Sequence, residues 1–228
     1  MRNIIIIPAR KGSKRIENKN LLKVMNKPLI FWTINFAKKL KKKNFDLIVT
    51  SDCKNIKRIC ADNEVNFLKR PKNLSGDNIS MHKVIFDTLN NLKQEYKYII
   101  LLQPTSPLRK LNIVENAIKI LDKRKNFDSL IHLAHDTSFT GKLKRKLWKP
   151  DYDINKRSQD IKDKLVPTGN IFVYRSFLYK KKIVLPKKTY GLILTKDDWV
   201  DIDSSKDFAL LNYFLTKPKN RRILVYNN

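Results

Sequence analysis

Residues 3–7 read Asn3-Ile4-Ile5-Ile6-Ile7, a β-branched run that no polar side chain interrupts before Pro8. A strand with one wet face alternates apolar and polar residues. One that is apolar at consecutive positions has both faces covered, the habit of central strands in parallel sheets. Parallel neighbours need a crossover between them, usually a helix, and the sequence supplies these in order. Leu29, Ile30, Ile34, Ala37 and Leu40 recur at helical spacing, residues 46–50 read as a second strand, and 55–63 as a second helix.

The alternation continues with strands at 65–68, 98–102 and 129–133 and helices at 79–93 and 111–123. Residues 170–174 and 191–195 read as further strands, 204–215 as a terminal helix that Ser204 can cap, and 222–226 as a closing strand. The expected fold is α/β, a mostly parallel sheet with helices on both faces, in a single domain over 1–228. Residues 135–168 lose the rhythm and turn polar and Lys-rich, so they are expected to form a small inserted hairpin region on the rim.

The chain carries a formal charge of +28 with 42% hydrophobic residues, enough apolar material for a packed core and too much for a disordered polyelectrolyte. Such charge has two readings. Nucleic-acid binders are this basic, but they lean on Arg for bidentate contacts, and here 37 Lys stand against 12 Arg, scattered through nearly every segment. A composition bias therefore accounts for it better, and no nucleic-acid partner is expected; anionic small molecules stay open. The opening apolar run is too short for a signal segment or a membrane span, and Pro8 and Arg10 break it at once. Cys53 and Cys60 lack the close pairing of a zinc or redox motif, which fits a protein of the reducing cytoplasm.

In open α/β sheets ligands gather at the carboxyl ends of strands, and four polar segments fall there, 10–20, 52 onward, 103–109 and 201–203, of which three carry chemistry. The first follows the opening strand as Arg10-Lys11-Gly12-Ser13-Lys14-Arg15-Ile16-Glu17-Asn18-Lys19-Asn20. Gly12 and Ser13 let backbone approach a ligand closely, and the flanking cations can neutralise a polyphosphate. Neither a Walker A ending nor the dinucleotide glycine fingerprint is present, and a solvated Lys-rich turn explains the composition equally well.

The second segment, Leu101-Leu102-Gln103-Pro104-Thr105-Ser106-Pro107-Leu108-Arg109, stiffens a turn with two prolines and places Gln103, both donor and acceptor, at a strand tip. An ordinary strand-to-helix turn capped by Thr105 or Ser106 also fits, though it leaves Gln103 unexplained. The third is Val200-Asp201-Ile202-Asp203, where alternation in a strand puts two carboxylates on one side. Hard oxygen ligands so paired suit Mg²⁺. Equally, Asp203 fits a helix start while Asp201 pairs with a lysine. His82 and His132 read as helix or core residues, and His135 has no assigned role.

Together these segments resemble the acylneuraminate cytidylyltransferase family, whose signature Ile-Pro-Ala-Arg-x-Gly-Ser-Lys-x-Ile-x-x-Lys-Asn is similar to residues 7–20. Ser51-Asp52, Arg70-Pro71, residues 101–109 and residues 200–203 match in order. Lys11 stands where the family usually has Gly and Glu17 where it has Pro, and Pro167-Thr168-Gly169-Asn170-Ile171 only loosely follows its Asn-Gly-Ala-Ile-Tyr.

The resemblance implies a Rossmann-like nucleotidyltransferase fold, a dimerisation role for the inserted region, and transfer of CMP from CTP to a nonulosonic acid, releasing pyrophosphate. It assigns Arg10, Lys14 and Lys19 to the triphosphate, with Gly12, Ser13, Asn20, Arg70 and Ser80 around the nucleotide. It gives Gln103, Lys142 and Arg157 to the sugar, and Asp201 and Asp203 to Mg²⁺ and to deprotonation of the sugar hydroxyl. A homodimer follows by the same analogy. A CMP-octulosonate synthetase is the near alternative and a basic nucleic-acid-binding protein the distant one.

Overall fold

The computed structural model describes residues 1–216 apart from positions 14, 42–43, 111, 137, 139, 161–163, 181–185 and 195–198. Lys14, Thr195 and the expected strand at 222–226 lie outside the described residues.

Along the chain come β1 (Asn3–Pro8), β2 (Lys23–Val24), β3 (Lys27–Pro28), α1 (Leu29–Lys41), β4 (Phe45–Ser51), α2 (Lys54–Asp62) and β5 (Asn66–Lys69). Then follow α3 (Met81–Leu92), β6 (Tyr98–Leu101), α4 (Ile113–Lys123), β7 (Ser129–Asp136), β8 (Gly141–Lys144) and β9 (Leu147–Pro150). β10 (Lys164–Arg175), α5 (Phe177–Lys180), β11 (Thr189–Ile193) and α6 (Ser205–Thr216) complete the order. Seven strands form one sheet in the order β11-β7-β10-β6-β1-β4-β5. β1 is central, parallel to β4 through Ile5↔Leu47 and to β6 through Ile5↔Ile100.

The isoleucine run is apolar throughout because its two sides serve two cores. Ile5 and Ile7 pack with Ile34 of α1, Ile56 of α2 and Val114 of α4 on one face. On the other, Ile4 and Ile6 meet Ile85 of α3 and Leu178 of α5. Burying each such side chain contributes about 1.5–3 kcal/mol, so the strand is anchored independently from both sides.

One strand departs from the expected pattern. β10 runs antiparallel to both β6 and β7, so it enters the sheet at the end where the others leave it. The sequence revealed only its second half, since the first half alternates half-buried and exposed residues and pairs with β7 alone, through Lys164↔Asp136 to Pro167↔Leu133. Register then slips between Pro167 and Phe172, and residues 168–171 are buried beside the carboxyl end of β6. Between β7 and β10 the β8–β9 hairpin is exposed along almost its whole length.

A third apolar cluster joins Val24, Leu29, Trp32, Leu108, Val200, Ile202, Leu211 and Leu215. It fastens the Val200-Ile202 segment and α6 to the start of α1. That fastening brings the far end of the chain to the carboxyl edge of β1.

Candidate active site

The loop after β1 is held from several sides. Ala9 N–H donates to the Thr50 carbonyl at 3.0 Å, and the Asn20 side-chain amide donates to the Arg10 carbonyl at 3.0 Å, closing the loop on itself. Asn18 has φ 49°, a left-handed conformation that its short polar side chain tolerates. A 3₁₀ turn at Lys19–Leu21 follows, with Leu21 packed against the main core, and this fixes where Lys19 leaves the backbone. At Gly12 a Cβ would meet no heavy atom within 4 Å, so the backbone there is open to a ligand. Ser13 beside it is partly exposed.

Several groups of the loop also meet carboxylates. Lys11 N–H donates to Asp52 Oδ1 at 2.7 Å, Arg10 forms an ion pair with Asp77, and Arg15 reaches Asp203 Oδ2 at 2.8 Å. Lys19 Nζ donates to Asp203 Oδ1 at 3.0 Å and to the Ile202 carbonyl at 2.7 Å. Behind Arg10, Arg70 is buried at the end of β5 and donates to the Thr50 carbonyl at 3.0 Å. Burial pulls its guanidinium down to about 10, with Asp52 opposing the shift and Arg10 adding to it. Ser80 is exposed at the start of α3.

The acidic side is built differently from the strand that alternation predicts. Residues 200–203 belong to no strand; Ile202 N–H donates to the Thr105 carbonyl of the 103–106 turn at 2.9 Å, a single bond rather than a ladder among the described residues. The alternation nevertheless survives in burial: Val200 and Ile202 point into the third cluster, and Asp203 is exposed. Asp203 does stand at a helix start, since Ser204 directly after it caps α6 as foreseen, and the lysine expected on Asp201 pairs with Asp203 instead. Asp207 N–H donates to Ser204 Oγ at 3.3 Å, and Ser204 N–H donates to Asp207 Oδ2 at 2.7 Å, a reciprocal capping box with Asp in the third position.

Asp201 lies deeper. Ser106 Oγ–H is within 3.2 Å of its Oδ1. Burial pushes its carboxyl above the ordinary range and the neighbouring Asp203 adds to that, against the Thr105 and Ser106 hydroxyls and the Lys19 charge. Gly169 of β10 completes the floor. Its φ is +68°, and a Cβ there would come within 2.5 Å of Gln103 Oε1, 3.2 Å of Ser106 Oγ and 3.5 Å of Asp201 Oδ1. Gln103 and Asp201 therefore flank one close backbone approach.

Lys19, Arg10, Asn20, Asp201 and Asp203 converge, with Gln103 beside them. Lys142 and Arg157 stand apart in this chain: Lys142 is exposed on β8 opposite Lys149, and exposed Arg157 pairs with Asp160 at 2.9 Å. The sequence reading left out Asp52, Asp77 and Ser106 as site residues. The pairing of Ser51-Asp52 with a strand end was its only signal. His82 stacks on Tyr179 at 5.4 Å, and His132 is buried and lowered to about 4, so both serve packing.

Among the described residues no three His, Cys, Asp or Glu side chains gather as a metal cage. Two close carboxylates, one of them destabilised as an anion by burial and further by the other, still match a hard divalent cation that takes its remaining oxygens from phosphate and water.

The arrangement has counterparts. A family model described as Cytidylyltransferase matches residues 4–220. An N-acylneuraminate cytidylyltransferase of Escherichia coli O18:K1:H7 is 29% identical over 99% of this chain and 55% of its own length. One from Streptococcus agalactiae serotype III is 31% identical over 91% of this chain and 52% of its own. This chain thus spans about half the length of those relatives. A pseudaminic acid cytidylyltransferase of Campylobacter jejuni is 28% identical over 93% of this chain and 98% of its own. Among solved structures, CMP:2-keto-3-deoxy-manno-octonic acid synthetase complexed with CTP superposes with a TM-score of 0.69, covering 95% of this chain and 99% of that one at 15% identity, which establishes a common fold. With the family model spanning nearly all the described residues, and the sheet, loop and acid pair in the places the motifs imply, the chain belongs to the cytidylyltransferase family.

Proposed function

We propose that this chain transfers CMP from CTP to the anomeric hydroxyl of a nonulosonic acid. The sugar oxygen attacks the α-phosphorus, the bond from that phosphorus to the bridging oxygen breaks, and pyrophosphate leaves with the electron pair. The observation that carries the reading is Lys19, whose ammonium joins the cationic loop to Asp203 and the Ile202 carbonyl. In-line attack at phosphorus calls for alignment and charge neutralisation rather than a covalent nucleophile, and such a junction supplies both.

In this reading Arg10, Lys14 and Lys19 take the triphosphate, and Gly12, Ser13, Asn20, Arg70 and Ser80 surround the nucleotide. Gln103 faces the sugar; Lys142 and Arg157, which stand apart from it in this chain, would reach a sugar across the contact between two copies. Asp201 and Asp203 would hold Mg²⁺, which when bound neutralises phosphate charge. The buried Asp201 carboxyl, raised above its ordinary range, also suits uptake of the hydroxyl proton. Lys142 and the exposed Leu143, Leu147 and Trp148 lie on one hairpin, which we assign to the contact between two copies in a homodimer. Among the described residues no helix is long and apolar enough to cross a membrane, and two buried free thiols suit the cytoplasm.

The test is incubation with CTP, Mg²⁺ and a panel of sialic, legionaminic, pseudaminic and octulosonic acids, with CMP-sugar read by mass spectrometry. A product with a nine-carbon acid supports the reading. Product with the octulosonic acid alone moves it to the near alternative, and no product from folded protein overturns both.

A further inference from the structure

Arg109 is a cation with 1% of its surface exposed. Three of its hydrogen bonds run to neutral oxygens, Nε to the Asn170 carbonyl of β10 at 2.7 Å, Nη2 to the Gln103 carbonyl at 2.6 Å and Nη1 to Thr33 Oγ1 of α1 at 3.0 Å, and the Asp201 carboxylate offsets part of the burial that disfavours its charge. The Phe36 ring lies 5.9 Å from its guanidinium carbon. Burying a guanidinium costs several kcal/mol, and apolar packing would hold a plain turn more cheaply. Retaining the charge points to what it grips: the main chain of Gln103, and the residue after Gly169, where backbone passes against Gln103 and Asp201.

We infer that Arg109 is a positioning residue for the sugar subsite, setting the distance between the Gln103 side chain and the Gly169 backbone from beneath. This rests on the proposed function. None of those three bonds reaches the cationic loop, so its part is in sugar binding rather than nucleotide binding. Only a planar fork spans the Gln103 and Asn170 carbonyls at once; a lysine keeps the charge and loses one arm.

The experiment compares wild type with Arg109→Lys and Thr33→Val in full kinetics for sugar and CTP, alongside the CTP-induced rise in melting temperature. Arg109→Lys should raise the sugar KM on the order of tenfold to a hundredfold, as small misplacements of aligned groups do, with the CTP-induced rise intact. Thr33→Val frees one prong only and should raise the sugar KM by less; if Arg109→Lys does not fold, this variant carries the test. An unchanged sugar KM in the folded variants, or equal losses for sugar and CTP, overturns the role of Arg109. A wild type that turns over no sugar overturns the proposed function itself, so the two failures are told apart.

Discussion

The Lys19 ammonium lies 3.0 Å from Asp203 Oδ1, although 184 residues separate them in sequence. Two unrelated pieces of packing produce that meeting. The 3₁₀ turn at Lys19–Leu21 rests on the main core through Leu21, and the third cluster clamps Val200 and Ile202 beside Asp203. A cation and a carboxylate brought together this way, at the carboxyl edge of a parallel sheet, form a junction that a metal-bound polyphosphate can enter.

Lys19→Ala removes the cation without removing packing, since the residue contributes nothing to the core beyond its stem. Turnover should fall by roughly a hundredfold to a thousandfold, the range seen when one preorganised charge stabiliser is lost. Circular dichroism should be unchanged. Steady-state kinetics check this, and an unaltered kcat removes Lys19 from the mechanism.

Asp201→Asn separates function from stability. The folded state holds the Asp201 proton more tightly than the unfolded chain, whose carboxyl has the ordinary value of 3.8. Folding stability from this group is therefore present at low pH and is lost as pH rises from 3.8 through the higher folded value. The Asn variant escapes that loss. Its melting temperature relative to wild type should climb across that window and level off above it, while activity falls by at least about a hundredfold. Melting curves from pH 3 upward decide it; a variant less stable than wild type at neutral pH contradicts the burial argument.

Gly169→Ala tests the floor. A side chain at φ +68° costs about 1–2 kcal/mol, and its Cβ would push against Gln103 Oε1 from 2.5 Å. The expected outcome is a lower melting temperature together with a raised sugar KM. A variant with wild-type sugar KM places Gln103 outside the sugar subsite.

The hairpin offers a separate prediction. Leu143 and Trp148 are cross-strand partners with 72% and 47% of their surface exposed. Leu143→Glu with Trp148→Glu should convert a dimer to a monomer in light scattering, with little change in unfolding, because neither side chain belongs to a core. An unchanged mass moves the contact elsewhere.

Most of the parallel framework was legible because its central strands, β1, β4 and β6, are short, largely apolar runs bounded by polar loops. Helix α6 was legible from Ser204, which does cap it. β10 was not, since its first half pairs on one side only and shows the mixed pattern of a rim segment. For the same reason Gly169 drew notice only as part of a loose match to a family motif. Residues 200–203 kept their alternation without becoming a strand, because periodicity reports which side is covered and not whether a neighbour supplies hydrogen bonds. The burial of Arg109 and Arg70 was not legible: charge in a sequence implies surface, and their burial depends on carbonyls brought from distant segments.

The most direct test is a crystal structure of the protein with CTP and Mg²⁺. The account predicts the triphosphate between Lys19 and the Asp201–Asp203 pair, with the Arg15 and Lys19 contacts to Asp203 displaced. A nucleotide bound elsewhere, with the Lys19–Asp203 ion pair undisturbed, contradicts it.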